Sequence, residues 1–241
     1  MSRPPRERRS APTPRRRGRL RRVLLWLFVL LIVGPLLWVA AYRFIPPPGT
    51  FLMAQRAAEG RGWDYRWRSL DAISPNLQRA VIASEDARFC SHAGFDQEAI
   101  ERALESNRRR PNRIRGGSTI SQQTAKNAFL WPQRSWVRKG LEAGFTVLIE
   151  TIWGKRRILE VYLNVAEWGP GVYGAQAASR YWFNKDADDL TAQEAARLAA
   201  ILPNPLRYRA ARPGRYVARR SRAVAANARI VRNDGLAGCV S

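Results

Sequence analysis

The sequence predicts a mainly α-helical domain carried behind one membrane-spanning helix. Two observations lead there. Residues 23–41 (VLLWLFVLLIVGPLLWVAA) form a charge-free run of 19 residues shortly after a tail of ten arginines. Beyond it, apolar residues recur at spacings of three and four, while the alternation expected of strands is scarce. At 241 residues the chain has room for one sizeable core beside an anchor. The expected divisions are a basic tail over 1–22, the span over 23–42, a membrane-proximal linker over 43–62 and a folded domain over 63–241.

In chain order, residues 1–22 hold ten arginines, one acid and several prolines, a composition expected to stay disordered. The apolar run approaches the ~20 residues, at about 1.5 Å each, that a bilayer core requires. It is longer than the apolar part of a secretion signal, and Trp38-Val39-Ala40-Ala41-Tyr42 is a poor cleavage site. A buried core helix is the other meaning such a run can have. Gly34-Pro35 is expected to kink the helix, which membrane helices tolerate. The arginines before the span are expected to hold the N-terminus in the cytoplasm and send residues 43–241 across. Pro46-Pro47-Pro48 then makes a stiff exit.

The folded part reads as helix after helix. Residues 64–70 (DYRWRSL) are the one stretch with strand character. Ser74-Pro75 reads as an N-cap and first helical position, followed by Leu77, Ala80, Val81 and Ala83. Ser135 caps a second helix with apolar positions Val137, Leu141, Phe145, Leu148, Ile149 and Ile152, ended by Gly154. Ile158, Leu159, Val161, Tyr162 and Leu163 form a third stretch, broken by GPGVYG at 169–174. Thr191-x-x-Glu194 is a capping box for a further helix that stops at Pro203. A weaker helical pattern covers 213–232.

Charge and rare residues narrow the chemistry. The formal net charge is +23, and the part beyond the span keeps 32 basic against 18 acidic residues. Such a balance usually suggests nucleic acid. Behind a membrane span it fits anionic head groups or a phosphorylated lipid better, and no nucleic-acid-binding signature is present. The chain's one histidine, His92, leaves no histidine-rich metal site. A G-x-S-x-G elbow for a serine triad is absent, as are S-x-x-K and K-T-G. Carboxylate chemistry with cationic support remains. Cys90 and Cys239 would pair in an oxidising compartment, or be a buried apolar residue and an incidental tail residue.

Glu85, at the end of the apolar run RAVIAS with Asp86 beside it, is a candidate general base. A solvated Glu-Asp pair at a helix end is the commoner meaning of that dipeptide. Glu142 follows Arg138 and Lys139, and an ordinary intrahelical ion pair accounts for that spacing. A lone His92 is more often a satisfied loop or core histidine than a catalyst. Gly116-Gly117-Ser118-Thr119 before Ser121-Gln122-Gln123 lets backbone amides approach phosphate oxygens, with Lys126, Arg134, Arg138 and Lys139 as matching cations. The bland reading is a flexible loop capping a helix. The basic clusters at 108–115 and 155–157 are expected to be solvated surface.

Order and wording decide what single residues do not. EDARFCSHAGFD, GGSTISQQTAKN, RKGLE, ILEVYLNVAEWGPGVYGAQAAS and AILPNPLRY resemble, in order, the five motifs of the family-51 peptidoglycan glycosyltransferases, over residues 63–232. YLNVAEWG and the short C-terminus look like the monofunctional proteobacterial branch, with no room for a transpeptidase domain. The resemblance implies a lysozyme-like helical large lobe, a small membrane-associated jaw lobe, and a single-pass inner-membrane protein with a periplasmic catalytic domain. It implies transfer of the growing lipid-pyrophosphate-linked glycan chain to the 4-hydroxyl of lipid II, with inversion to β-1,4 bonds and release of undecaprenyl pyrophosphate. Glu85 would deprotonate the acceptor's 4-hydroxyl, and Glu142 would assist pyrophosphate departure. Asp86, Phe89, His92, Gly94 and Gly117 would support the site. Ser118, Thr119, Gln122, Gln123, Lys126, Asn127, Arg134, Arg138 and Lys139 would bind substrate and pyrophosphate. No cofactor is required, a divalent magnesium or manganese ion is an optional aid, and cell-wall synthesis or division proteins are the partners such an enzyme would meet. The rivals are a lysozyme-like muramidase or lytic transglycosylase, whose neutral linkage needs no pyrophosphate cradle, and a non-catalytic scaffold.

Overall fold

The computed structural model describes residues 15–111 and 116–240. Two compact units divide at Trp38 and Val39. In the first, α1 (Arg15–Phe28) runs into a π-helical turn, Val29–Val33, and then into α2 (Gly34–Phe44). The Gly34 amide reaches back five residues to the carbonyl of Val29. Pro35 explains that turn: its ring would strike the preceding turn and it donates no hydrogen bond, so the ladder widens just before it. The apolar helix Arg21–Phe44 has 24 residues, its most apolar 18-residue window has a mean hydropathy of 2.7, and at about 1.5 Å per residue it is long enough to cross a bilayer. The expected disordered tail lies outside the described residues up to position 14, and from Arg15 the chain is helical.

The second unit is mainly α-helical, as expected. The stretch 43–62 carries a helix, α3 (Phe51–Ala58), whose N-cap Thr50 accepts the Met53 amide at 3.2 Å. Only Asp64–Tyr65 of the stretch at 64–70 is a strand, β1. Then follow α4 (Pro75–Glu85), α5 (Gln97–Arg109), α6 (Ile120–Phe129), α7 (Trp136–Ile152) and α8 (Lys155–Val165). Side-chain caps fix where several start: Ser74, Asp96, Thr119 and Ser135 each accept an amide of the first turn. The break at 169–174 is a hairpin of β2 (Glu167–Gly169) and β3 (Val172–Tyr173), and β1 pairs parallel to β3 in the order β1-β3-β2. The chain closes with α9 (Gly174–Phe183), α10 (Ala192–Ile201) and α11 (Arg215–Asn233).

Two helix groups meet at the site. α4 packs on α10 and α11 through Leu77, Val81, Leu198 and Val224, and α6 packs on α7 and α8 through Ile120, Ile149 and Leu159. Burying each such side chain contributes about 1.5–3 kcal/mol. At the far end of α6, Phe129 stacks on Tyr42 and Phe145, with centroids 5.6 and 4.7 Å apart. A disulfide joins Cys90 to Cys239 across 149 residues, tying the turn Phe89–Ser91 to the last turn, Gly238–Val240.

In the basic cluster at 155–157, Lys155 and Arg157 are not solvated surface, while Arg156 stays exposed. Lys155 donates to Glu150 at 2.7 Å and lies over the Phe89 ring. Arg156 bonds Asp71 and the Val240 carbonyl, while Arg157 takes the Tyr42 and Ile45 carbonyls and stacks on Trp67. These three cations begin α8, where they hold loops and the C-terminus. Of the cluster at 108–115, residues 112–115 lie outside the described residues.

Candidate active site

The adjacent carboxylates Glu85 and Asp86 separate because α4 ends between them. Glu85 is the last helical residue, and Asp86 leaves helical geometry with φ −162° and ψ 75°. Asp86 is buried and faces inward. His92 Nε2 lies 3.0 and 3.1 Å from its two oxygens, and the Ile120 amide donates to Oδ2 at 3.0 Å. The Gly94 amide donates to His92 Nδ1 at 3.1 Å, so the ring proton sits on Nε2 and points at Asp86. An anion thereby caps the positive end of α6 and ties the first motif to the second. Glu85 instead accepts from Ser84 Oγ at 3.1 Å and from Gln123 Nε2 at 3.2 Å. The solvated Glu-Asp reading therefore fails: one carboxylate is structural and its neighbour stands at the edge of a cleft.

Two glycines allow the loops to close. Gly94 has φ +92°, and a Cβ there would lie 2.8 Å from Thr146 Cγ2 on α7. Its carbonyl accepts the Thr119 hydroxyl at 2.6 Å. Gly117 passes so near α5 that a Cβ would lie 3.1 Å from Ile100 Cα. Thr119 and Gln122 then form a reciprocal capping box that starts α6. Ser118 is exposed and lines two clefts. One, of about 230 Å³, includes Glu85, Arg88 and Arg102. The other, of about 260 Å³, includes Gln122 and Lys139.

Glu142 lies on the buried side of α7 between two cations. Arg138 Nη1 donates to its Oε2 at 2.8 Å, and Lys139 Nζ donates to Oε1. Arg138 and Glu142 are both buried, so the pair is not the solvated i,i+4 bridge that its spacing suggests. The Arg138 Nε is buried with no hydrogen-bond partner among the described residues. Lys126 on α6 belongs to the same field. Its pKa is lowered first by burial, and Arg138, Lys139 and Arg134 lower it further against the pull of Glu142. Three to four positive groups held together against their repulsion, with one carboxylate among them, suit an incoming polyanion.

α6 joins the two glutamates. Gln123 holds Glu85, and Lys126, one turn on and on the same face, feels Glu142. Gln123 is itself held by Tyr162, whose hydroxyl donates to Oε1 at 3.3 Å. Burial, then Glu85 and Asp86, raises the Tyr162 pKa well above its ordinary value, which keeps that donor protonated. Of the remaining expected residues, Phe89 is fully buried beneath Lys155, Asn127 is half-buried on α6, and Arg134 is exposed. Sequence reasoning passed over Tyr162 as a site residue, although it lies inside YLNVAEWG. It also missed Arg220 of α11, whose Nη2 donates to Ser84 Oγ at 3.1 Å and lies 3.7 Å from Glu85 Oε1. Nothing distinguished Arg220 from the other arginines of YVARRSR. Among the described residues no three of His, Cys, Asp and Glu converge as a metal site.

Comparisons with known proteins place the chain in a family. The sequence model of the transglycosylase family matches residues 54–229. A biosynthetic peptidoglycan transglycosylase of Caulobacter vibrioides is 59% identical over 222 residues, covering 92% of this chain and 96% of its own. The proteins of the same description from Rhodospirillum centenum and Pseudomonas aeruginosa are 55% and 54% identical, covering 94% and 84% of this chain and 96% and 88% of their own.

Proposed function

The chain belongs to the transglycosylase family and is a peptidoglycan glycosyltransferase; from that premise we propose that Glu85 and the Lys126–Glu142 cluster divide one inverting glycosyl transfer between them. It polymerises glycan strands for the cell wall. In the finer reading, Glu85 takes the proton from the 4-hydroxyl of a lipid II acceptor. The freed oxygen attacks the anomeric carbon of the nascent chain from the face opposite its lipid pyrophosphate. The carbon–oxygen bond to pyrophosphate breaks, the electron pair leaves with the phosphate, and an α linkage becomes a β-1,4 bond. The leaving group is already an anion, so the site needs positive charge more than a strong acid. Lys126, Arg138 and Lys139 supply that charge, and Glu142 holds the last two in place. The observation that carries this reading is the single face of α6 on which Gln123 contacts Glu85 and Lys126 joins the cations of α7.

A divalent cation would enter as an aid bound to pyrophosphate oxygens. Glu142 faces two cations and Asp86 faces a ring N–H and an amide, so the protein's own groups suit an anion. The ten arginines ahead of the charge-free run that begins at Val23 support a cytoplasmic N-terminus and a periplasmic domain in the inner membrane.

Incubation of the purified protein with lipid-linked disaccharide-peptide tests the assignment. Wild type should yield polymer that a muramidase digests. Glu85→Gln should lower the rate by about 10²–10⁴-fold, the range for loss of a general base, and Glu142→Gln should lose most activity. Equal polymer from Glu85→Gln would sink the base assignment, and shortening of preformed glycan would support the hydrolytic rival.

A further inference from the structure

The connection between α10 and α11 carries a second concentration of charge that the catalytic scheme does not use. Arg207, Arg209, Arg212 and Arg215, with Tyr208 and Tyr216, line a concavity of about 370 Å³. The two tyrosine rings stack with centroids 4.8 Å apart. All four arginines are exposed, and among the described residues none is paired with a carboxylate. Elsewhere Arg56, Arg88, Arg138, Arg157 and Arg180 each hold one. Four unneutralised guanidinium groups in one short loop repel each other and create a field that draws anions. The stacked rings add flat apolar area of the kind that receives a sugar or peptide face.

The position of the concavity selects among anions. Tyr216 and Arg220 lie four residues apart on α11, hence on one face and about 6 Å apart along the axis. Arg220 reaches Ser84 and Glu85, so the concavity adjoins the base and the acceptor it serves. The exposed apolar side chains Trp131 and Trp136 flank the other end of α6. Trp131 follows the extended C-cap Leu130, just past the last helical residue Phe129, whereas Gln123 lies in the first turns of the helix. A membrane surface would meet that end first.

We propose that this concavity is a subsite for the acidic peptide branch of the acceptor, with its carboxylates paired to Arg209, Arg212 and Arg215 and its apolar portions laid on Tyr208 and Tyr216. It rests on the reading of Glu85 as the acceptor's base. A sugar whose 4-hydroxyl sits at Glu85 carries its peptide one ring further along, where the arginines stand. The subsite makes the enzyme selective for acceptors bearing free carboxylates without entering the bond-forming step.

Two measurements on the full-length protein in detergent test it. In the first, acceptors differ only in the peptide: free carboxylates, amidated carboxylates, or none. Exposed ion pairs are individually weak, so losing the whole set of carboxylate contacts should raise KM several-fold, by about 3–10-fold. Wild type should show that rise on amidation with kcat unchanged. The triple variant R209Q/R212Q/R215Q should show the high KM with every acceptor, and R209K/R212K/R215K should recover much of the selectivity. Equal wild-type KM values for all three acceptors would overturn the proposal. The second measurement is calorimetric titration with the lipid-free disaccharide-peptide, which reads binding whether or not polymer forms. Binding lost in the glutamine variant and on amidation supports the subsite even if the reading of Glu85 fails; equal binding by both proteins overturns it. Loss of binding to anionic vesicles by the glutamine variant, with acceptor selectivity intact, would assign the arginines to a lipid surface instead.

Discussion

Lys126 stands between Gln123, which holds Glu85, and the cations of α7, so under the proposed assignment its charge state bears on the leaving group. Burial lowers its pKa first, and the neighbouring Arg138, Lys139 and Arg134 add to the effect. A lysine with a depressed pKa keeps its charge at low pH and loses it earlier as pH rises. The alkaline fall of kcat/KM should therefore begin below 10.5, the ordinary lysine value. Lys126→Arg, which stays charged at any accessible pH, should move that fall upward, and an alkaline limb that stays in place would assign it to another group. The resemblance in motif order nominated Glu85, Glu142 and the cations, and the structure brings Glu85 against Gln123 and Glu142 against Arg138 and Lys139. The divergence of Glu85 and Asp86 was not readable, because it depends on where α4 ends and on a hydrogen bond to Ile120, 34 residues away. Arg220 and Tyr162 were hidden for a similar reason: their roles arise from packing of α11 and α8 against the site, which leaves no local pattern.

At the scale of elements, α8 and the C-terminal turn act as a strap. Arg156 holds the Val240 carbonyl at 2.8 Å, Val240 is buried, and Cys239 is bonded to Cys90, two residues before His92. Closing a loop of this length stabilises the fold by about 2–5 kcal/mol on the chain-entropy account. For a domain of this size that corresponds to about 5–20 °C in Tm. Dithiol treatment should lower the Tm of the wild type by that amount and leave Cys239→Ser, already lowered, where it was. An unchanged wild-type Tm under full reduction would show the strap holds without its disulfide. The capping motifs at Ser74, Ser135 and Thr191 were legible because each is local in sequence, while the box at Thr119 and Gln122 went unread beside the glycines. The hairpin at 167–173 was not, since strands of two or three residues are too short to alternate. The cations at 155–157 looked like solvated surface because their partners, Glu150, Asp71, Tyr42 and Val240, are scattered along the chain.

Within the second unit, the N-terminal half of α7 buries polar groups and exposes apolar ones, while Phe145 and Ile149 further on join the core. Arg138, Glu142 and Thr146 are buried, whereas Trp136, Val137, Leu141 and Val147 are exposed, Trp136 to 91%. A helix turned this way is unfavourable in water and suits a surface that meets lipid, where an exposed tryptophan anchors at the interface. Positive charge adds to the attraction toward anionic head groups. On this account the anchor would be one of two membrane contacts, and the unit boundary at Trp38 and Val39 is where a truncation would separate them. A chain beginning at Val39 keeps the Val39 carbonyl that accepts the Trp153 indole at 2.7 Å. It should still sediment with anionic vesicles, but with a lower rate on vesicle-embedded substrate, because tethering no longer raises the effective concentration. Adding Trp136→Glu and Leu141→Glu should abolish the residual sedimentation while leaving activity on detergent-dispersed substrate within a few fold. Sedimentation that survives both substitutions would place the second contact elsewhere on the domain, and sedimentation lost with the anchor alone would mean that α7 faces water.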